Sequence, residues 1–120
     1  MWIYQQNNGD LQHDGVHAGI CYAGNGDGLN NPDLDHVHNY GPPPRGQYTI
    51  GPAFRHPAKG QVCMRLEPHA GTDMHGRDGF MIHGDNKLMN HTASEGCIIA
   101  SLTIRQDIAQ SKDRELLVIA

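Results

Sequence analysis

Hydrophobic positions alternate with polar ones over short stretches of the chain, and the alternation breaks at Gly, Pro, Asn and Asp. A period of two in short runs predicts strands joined by tight turns. Trp2 to Gln6 reads as a first strand, Asn7-Asn8-Gly9-Asp10 as a hairpin turn and Leu11 to His13 as the returning strand. Asp14-Gly15 marks a second turn and His17 to Tyr22 a third strand, so the chain opens as a β-meander. Gln47 to Ile50 is a short strand stopped by Gly51-Pro52. Gln61 to Leu66 alternates more regularly, with Val62, Met64 and Leu66 expected on one face and Cys63 and Arg65 on the other. Phe80 to His83, Ile98 to Ala100 and Leu116 to Ile119 are further apolar runs of strand length. Ser101 to Ser111 is the one helical pattern: Leu102, Arg105, Ile108 and Ala109 fall near the 3.6 period, and Ser101 or Thr103 can cap it.

Three segments carry no period. Ala23 to Tyr40 is rich in Gly, Asn and Asp and lacks the glutamate that closes a calcium loop. It is expected as a long surface loop that lines a site, since structureless loops of that length are usually functional. Gly41 to Gly46, with three prolines, is a stiff connection that cannot lie in a central strand. His69 to Asp78 is a Gly-rich loop carrying Arg77.

Composition narrows the class. The 120 residues suit one domain, 1–120, with a single modest core. Gly and Pro supply 22 of them, about 18% against a usual sum of roughly 12%, so turns take up much of the chain. The net charge is −4 with no basic block, which argues against nucleic acid as a partner. Apolar runs fall well short of the ~18 residues a membrane span needs, so no membrane insertion is expected. Met1 to Gln6 has no basic region, apolar stretch or small-residue cleavage site of a Sec signal. The three cysteines, Cys21, Cys63 and Cys97, are an odd number without the look of a disulfide framework. Cys21 and Cys63 sit in strand-like runs and are read as buried, inert thiols.

The chemistry gathers between Arg77 and Ile99. The run Phe80-Met81-Ile82 delivers His83 into the turn Gly84-Asp85-Asn86. Ser94-Glu95-Gly96-Cys97 then leads into a second apolar run. A histidine and a cysteine thus stand at the edges of two strands that can pair, each beside a glycine. A cysteine attacks as its thiolate, and a free thiol near pKa ~8.5 needs a base to reach that form at neutral pH. His83 is the candidate base and Cys97 the nucleophile of an acyl-transfer site. The Gly96-Cys97 peptide offers N–H groups for an oxyanion. Ser94 is placed to orient the histidine or substrate, and the planar fork of Arg77 suits a substrate carboxylate. No cofactor or metal is expected. His36 and His38, with Asp33 and Asp35, are read as solvated loop groups, and no His-Glu-x-x-His pattern supports a metallohydrolase.

Ile82-His83-Gly84 followed by Ser94-Glu95-Gly96-Cys97 resembles the active-site signature of L,D-transpeptidases of the YkuD type. Further pieces occur in order. They are Trp2-x-Tyr4, Tyr22-Ala23-Gly24-x-Gly26, Asn31-Pro32, Gly41-Pro42-x-Pro44-x-Gly46-x-Tyr48 and Gly76-Arg77-x-Gly79-Phe80. Together they resemble the small type VI secretion effectors related to L,D-transpeptidases (the DUF2778 family) over nearly the whole chain. Glu95 stands where that signature has histidine, Ile99 where Asn or Arg is common, and the interval from His83 to Ser94 is shorter.

The resemblance implies a mainly β, compact sandwich-type domain with one short C-terminal helix and with the Cys and His at one end. It implies a cysteine enzyme acting on peptidoglycan stem peptides, as an L,D-carboxypeptidase or by D-amino-acid exchange. The site set is then Cys97 and His83 as catalytic pair, Gly96, Ser94 and Gly84 as oxyanion and support groups, and Arg77, Tyr22 and Asp85 toward substrate. Delivery by the type VI machinery into a target periplasm, and a cognate immunity protein over the Cys97 cleft, follow from the same resemblance. A wall-binding or partner-binding β module with a spent cysteine is the non-enzymatic alternative, with Glu95 as its main support.

Overall fold

The computed structural model describes residues 1–86 and 94–120. The part of the central stretch at 87–93 lies outside the described residues. The strands are β1 (Trp2–Gln5), β2 (Asp10–His13), β3 (Val16–Ile20), β4 (Tyr22–Ala23), β5 (Gly46–Ile50), β6 (Phe54–His56), β7 (Gly60–Pro68), β8 (Met81–His83), β9 (Ile98–Ile99) and β10 (Glu115–Ile119). One helix, α1 (Leu102–Gln110), lies between β9 and β10. No helix among the described residues is long and apolar enough to cross a membrane.

The strands form one hydrogen-bonded path, β3-β2-β1-β10-β5-β7-β8-β9-β4, with β6 beside β7. The path coils into a nearly closed, barrel-like sheet, so the expected mainly β domain with one short helix holds. Period two explains the interior. Trp2 and Tyr4 of β1 pair in register with Leu116 and Val118 of the parallel β10, and all four are buried. Tyr48 and Ile50, Met64 and Leu66, Ile82 and Ile98 extend the same core. The last strand of the chain thereby sits in mid-sheet, between β1 and β5.

β7 is the hinge of the path. Its end at Leu66–Pro68 pairs with β5, its middle at Met64–Arg65 with β8, and its start with β6. The strict alternation expected along Gln61–Leu66 fails at its start. Val62 takes a positive φ of 54°, so Cys63 and Met64 are both buried in succession. β6 was not expected from sequence. It is three residues long, carries Arg55 and lies between Pro52 and Pro57, so it shows no apolar alternation. Arg65 stacks over Phe54 at 4.7 Å and ties this hairpin down.

The segment Ala23–Tyr40 is more ordered than a plain surface loop. It begins at the last residue of β4 and holds two 3-10 turns, Gly26–Gly28 and Pro32–Leu34, the second capped by Asn31. Gly41 to Pro44 of the proline connection are buried, while Arg45 is exposed. Prolines lack an N–H, so only carbonyls there need partners. Side chains supply them: Arg77 to Gly41 and Pro42, Gln6 to Pro43 at 2.8 Å and Tyr48 Oη to Pro44 at 2.6 Å. Ser101 caps α1 by accepting from the Ile104 N–H at 3.2 Å. Arg105 and Ile108 are its buried positions, so the helix lies on the sheet by a narrow stripe. Cys21 and Cys63 are free and buried, as read from sequence.

Candidate active site

β8 and β9 are parallel neighbours, with Ile82 beside Ile98 and His83 beside Ile99. One step back in that register sets Cys97 beside Met81, whose N–H is directed at the thiol. Alternate residues of a strand share a face, so Met81, His83 and Cys97 point the same way. His83 and Cys97 accordingly line one cavity of about 310 Å³, together with Lys59, Arg77, Phe80 and Glu95.

His83 is 2% exposed. Its Nδ1 lies 2.8 Å from the Gly84 carbonyl oxygen. A carbonyl only accepts, so Nδ1 carries the hydrogen and Nε2 keeps the lone pair. Gly84 thus orients the imidazole through its carbonyl oxygen. Burial pushes the His83 pKa below its ordinary 6.5; the bond to Gly84 opposes this, and Lys59, Arg105 and His56 add to the lowering. Burial pushes the Cys97 thiol up from its ordinary 9.0, and Glu95 pushes the same way, against the Met81 N–H, Lys59 and Arg77. Both shifts favour a neutral thiol beside a neutral imidazole over a resting ion pair.

Ser94 is fully buried and shapes the turn before Cys97. Its Oγ donates to the Cys97 carbonyl at 2.6 Å and accepts from the N–H groups of Gly96 at 3.0 Å and Gly24 at 2.9 Å. The Ser94 carbonyl accepts from Asn25 Nδ2 at 2.7 Å. Ser94 thus clamps the Cys97 turn onto the Gly24 loop through its hydrogen bonds to Cys97, Gly96 and Gly24. The bond from Gly96 has a further consequence: its N–H is already engaged within the turn.

Arg77 is 6% exposed and turned inward. Nη1 donates to the carbonyls of Asp35 at 2.7 Å and Pro42 at 2.8 Å, and Nη2 to those of Gly41 at 2.9 Å and Glu95 at 3.4 Å. Its guanidinium also stacks over Phe80 at 4.8 Å. With its Nη hydrogens on backbone oxygens, Arg77 braces the proline connection against the Cys97 turn, in place of the carboxylate fork expected from sequence. Gly96 fits beneath it: φ is +142°, and a β-carbon there would lie 2.6 Å from Arg77 Nη2 and 2.7 Å from Phe80.

Tyr22 and Asp85 meet each other, with Tyr22 Oη donating to Asp85 Oδ1 at 2.8 Å. They line a neighbouring cavity of about 570 Å³ with Ile99 and Arg105, not the one that holds Cys97. A third cavity, about 240 Å³, lies between: it shares His83, Lys59 and Glu95 with the first and Asp85 with the second. The expected long loop reaches the Cys97 cavity through His38 and Asn39. The residue that sequence reading missed is Lys59. It stands on the turn of the unexpected β6–β7 hairpin, and only that pairing brings it to Cys97 and His83.

His36 and His38 are exposed, while Asp35 is buried and held by Gln6 and Arg45, so the loop does not assemble these groups around one point. The described residues that do converge are His13, Asp14 and Asp113, with ligand atoms within 4.8 Å of one another. The Met1 amine already donates to both aspartates, and His13 Nε2 lies 2.9 Å from Asp113. This cluster is outside the Cys97 cavity.

No curated protein matches the chain. The family model described as the Tlde1 domain matches residues 18–118, a span that includes the Cys97 turn, β8, the Lys59 hairpin and α1. The chain belongs to the Tlde1 domain family, whose members are type VI secretion, L,D-transpeptidase-type antibacterial effectors that act on peptidoglycan.

Proposed function

We propose that this protein is a cysteine-dependent L,D-carboxypeptidase and L,D-transpeptidase of peptidoglycan stem tetrapeptides. The observation that carries the reading is the shared face of β8 and β9. It sets the Cys97 thiol and an imidazole with a bare Nε2 in one cavity. Family membership supplies the substrate class.

The Cys97 sulfur attacks the carbonyl at the L-centre of the third stem residue while His83 Nε2 takes the thiol proton. The carbon–sulfur bond forms, the carbon–nitrogen bond to the terminal D-alanine breaks, and His83 returns the proton to the leaving amine. Water or the amine of a free D-amino acid then attacks the thioester. It gives one proton by way of His83 to the departing sulfur. The Cys97 N–H stabilises the oxyanion in both halves. Hydrolysis shortens the tetrapeptide stems of a growing wall and exchange alters their terminus, in line with an antibacterial effector. Action in the periplasm of a target cell, and an immunity protein over the Cys97 cavity, complete the reading.

The test is mass spectrometry of purified stems incubated with wild type and Cys97→Ala. Wild type converts tetrapeptides to tripeptides or D-amino-acid-exchanged tetrapeptides, and the variant does not. Unchanged tetrapeptides with wild type refute the reading, and equal turnover by Cys97→Ala refutes the cysteine mechanism.

A further inference from the structure

Lys59, His83 and Glu95 are the residues common to the Cys97 cavity and the one adjoining it, so they frame the passage between the two. Lys59 and Glu95 carry opposite charges on that frame, and both are exposed. Among the described residues, neither the Lys59 ammonium nor the Glu95 carboxylate has a hydrogen bond or ion pair. They do not pair with each other, although both act on the Cys97 thiol through space. Among the described residues lining the Cys97 cavity, the other permanent cation, Arg77, is spent on backbone carbonyls. Two unpaired opposite charges lining the same two adjoining cavities suit a small ligand that carries both charges itself. Each then gains a charge-assisted hydrogen bond without burying an uncompensated charge.

We propose that Lys59 and Glu95 form a binding site for a free α-amino acid, its carboxylate on Lys59 and its ammonium facing Glu95. The site rests on the stem-peptide reading above and extends it. In that chemistry the leaving group and the exchanging nucleophile are both amino acids. Both must pass the imidazole, which gives a proton to one amine and takes a proton from the other. A site beside His83 serves both directions of the exchange. In the intact stem the same carboxylate is present, so Lys59 also holds the stem terminus, whereas the nitrogen there is an uncharged amide. Glu95 therefore distinguishes the free amino acid from the amino acid still in the chain. This accounts for an acid beside the nucleophile, where it otherwise only hinders thiolate formation.

Nuclear magnetic resonance titration of the full chain with D-alanine, D-alaninamide and D-lactate tests the pair without requiring turnover. D-Alaninamide lacks the carboxylate charge and D-lactate the ammonium. Wild type binds D-alanine about tenfold more tightly than either, the worth of one charge-assisted hydrogen bond. In Lys59→Ala the difference between D-alanine and D-alaninamide falls below about twofold, and Lys59→Arg restores it. In Glu95→Gln the difference between D-alanine and D-lactate closes in the same way. Equal binding of the three ligands by wild type, or gaps that persist in the variants, overturns the proposal. Stem cleavage measured in parallel keeps the two readings apart. Cleavage with no charge discrimination overturns this site alone, and discrimination without cleavage overturns the stem-peptide reading alone.

Discussion

Arg105 Nη2 lies 2.6 Å from the point a β-carbon on Gly84 would occupy, so the backbone beside the His83 imidazole rests directly on a buried guanidinium. Arg105 is 8% exposed, and it also donates to the carbonyls of Ala100 at 3.1 Å and Gln61 at 2.6 Å. It thereby joins α1, the end of β9 and the start of β7 under the His83 turn. Arg105→Met leaves those carbonyls without donors and costs about 3 kcal/mol of stability, measured by urea unfolding. Gly84→Ala pushes the turn off the guanidinium and lowers stem cleavage about tenfold or more, the usual price of a small displacement at a reacting pair. A Gly84→Ala enzyme of full activity contradicts this account.

Ser94→Ala removes one acceptor shared by two N–H groups and one donor to the Cys97 carbonyl. The expected loss is about 2–3 kcal/mol, since buried N–H groups are left unpaired. Alkylation of Cys97 also changes rate, because the turn that presents it is released. Unfolding and iodoacetamide labelling on the same sample check both. A Ser94 that only touched the histidine would alter cleavage and leave the unfolding midpoint in place.

Arg77→Lys separates a brace from a substrate fork. Lysine has one nitrogen where arginine directs two at four carbonyls, so the proline connection and the Cys97 turn lose their common tie. The expected result is a loss of about 2–4 kcal/mol in stability. The relative preference for a stem ending in carboxylate over one ending in carboxamide is retained. A variant of wild-type stability that has lost that preference returns Arg77 to substrate recognition.

Burial sets the pH behaviour. His83 has a folded pKa below its ordinary 6.5 and Cys97 one above its ordinary 9.0. Cleavage by a neutral imidazole acting on a protonated thiol then has its acid limb below pH 6.5 and its alkaline limb above pH 9, with a plateau between. Alkylation of Cys97 without substrate is slow at pH 6 and still rising above pH 9; fast labelling at pH 6 indicates a resting thiolate–imidazolium pair instead. For stability, a depressed histidine pKa means that the unfolded chain binds the proton first. The His83 contribution is full above pH 6.5 and is lost as pH falls through the folded value. Asp35 adds a second loss at lower pH. Its burial raises the carboxyl pKa, but hydrogen bonds from Gln6 and Arg45 outweigh that and hold it below 3.8. Urea midpoints across this range show both steps, the first absent in His83→Gln.

Sequence by itself determined the elements whose cause is local. Short apolar runs bounded by turn residues mark β1, β5, β8 and β10, Ser101 caps α1, and His83 and Cys97 stand out because one closes and the other opens an apolar run beside a glycine. Pairing and direction were beyond it. Whether a buried arginine meets substrate or carbonyls depends on which loops return to it. Arg77 meets Gly41, Pro42, Asp35 and Glu95 only once the path has coiled. Lys59 reaches Cys97 and His83 through β6, a strand that exists because β7 is there to pair with it and not because its own residues favour one. Gly96 was legible as a glycine beside a cysteine. That its N–H belongs to Ser94 follows from the shape of one buried turn, where an unpaired donor costs more than the chain can spare.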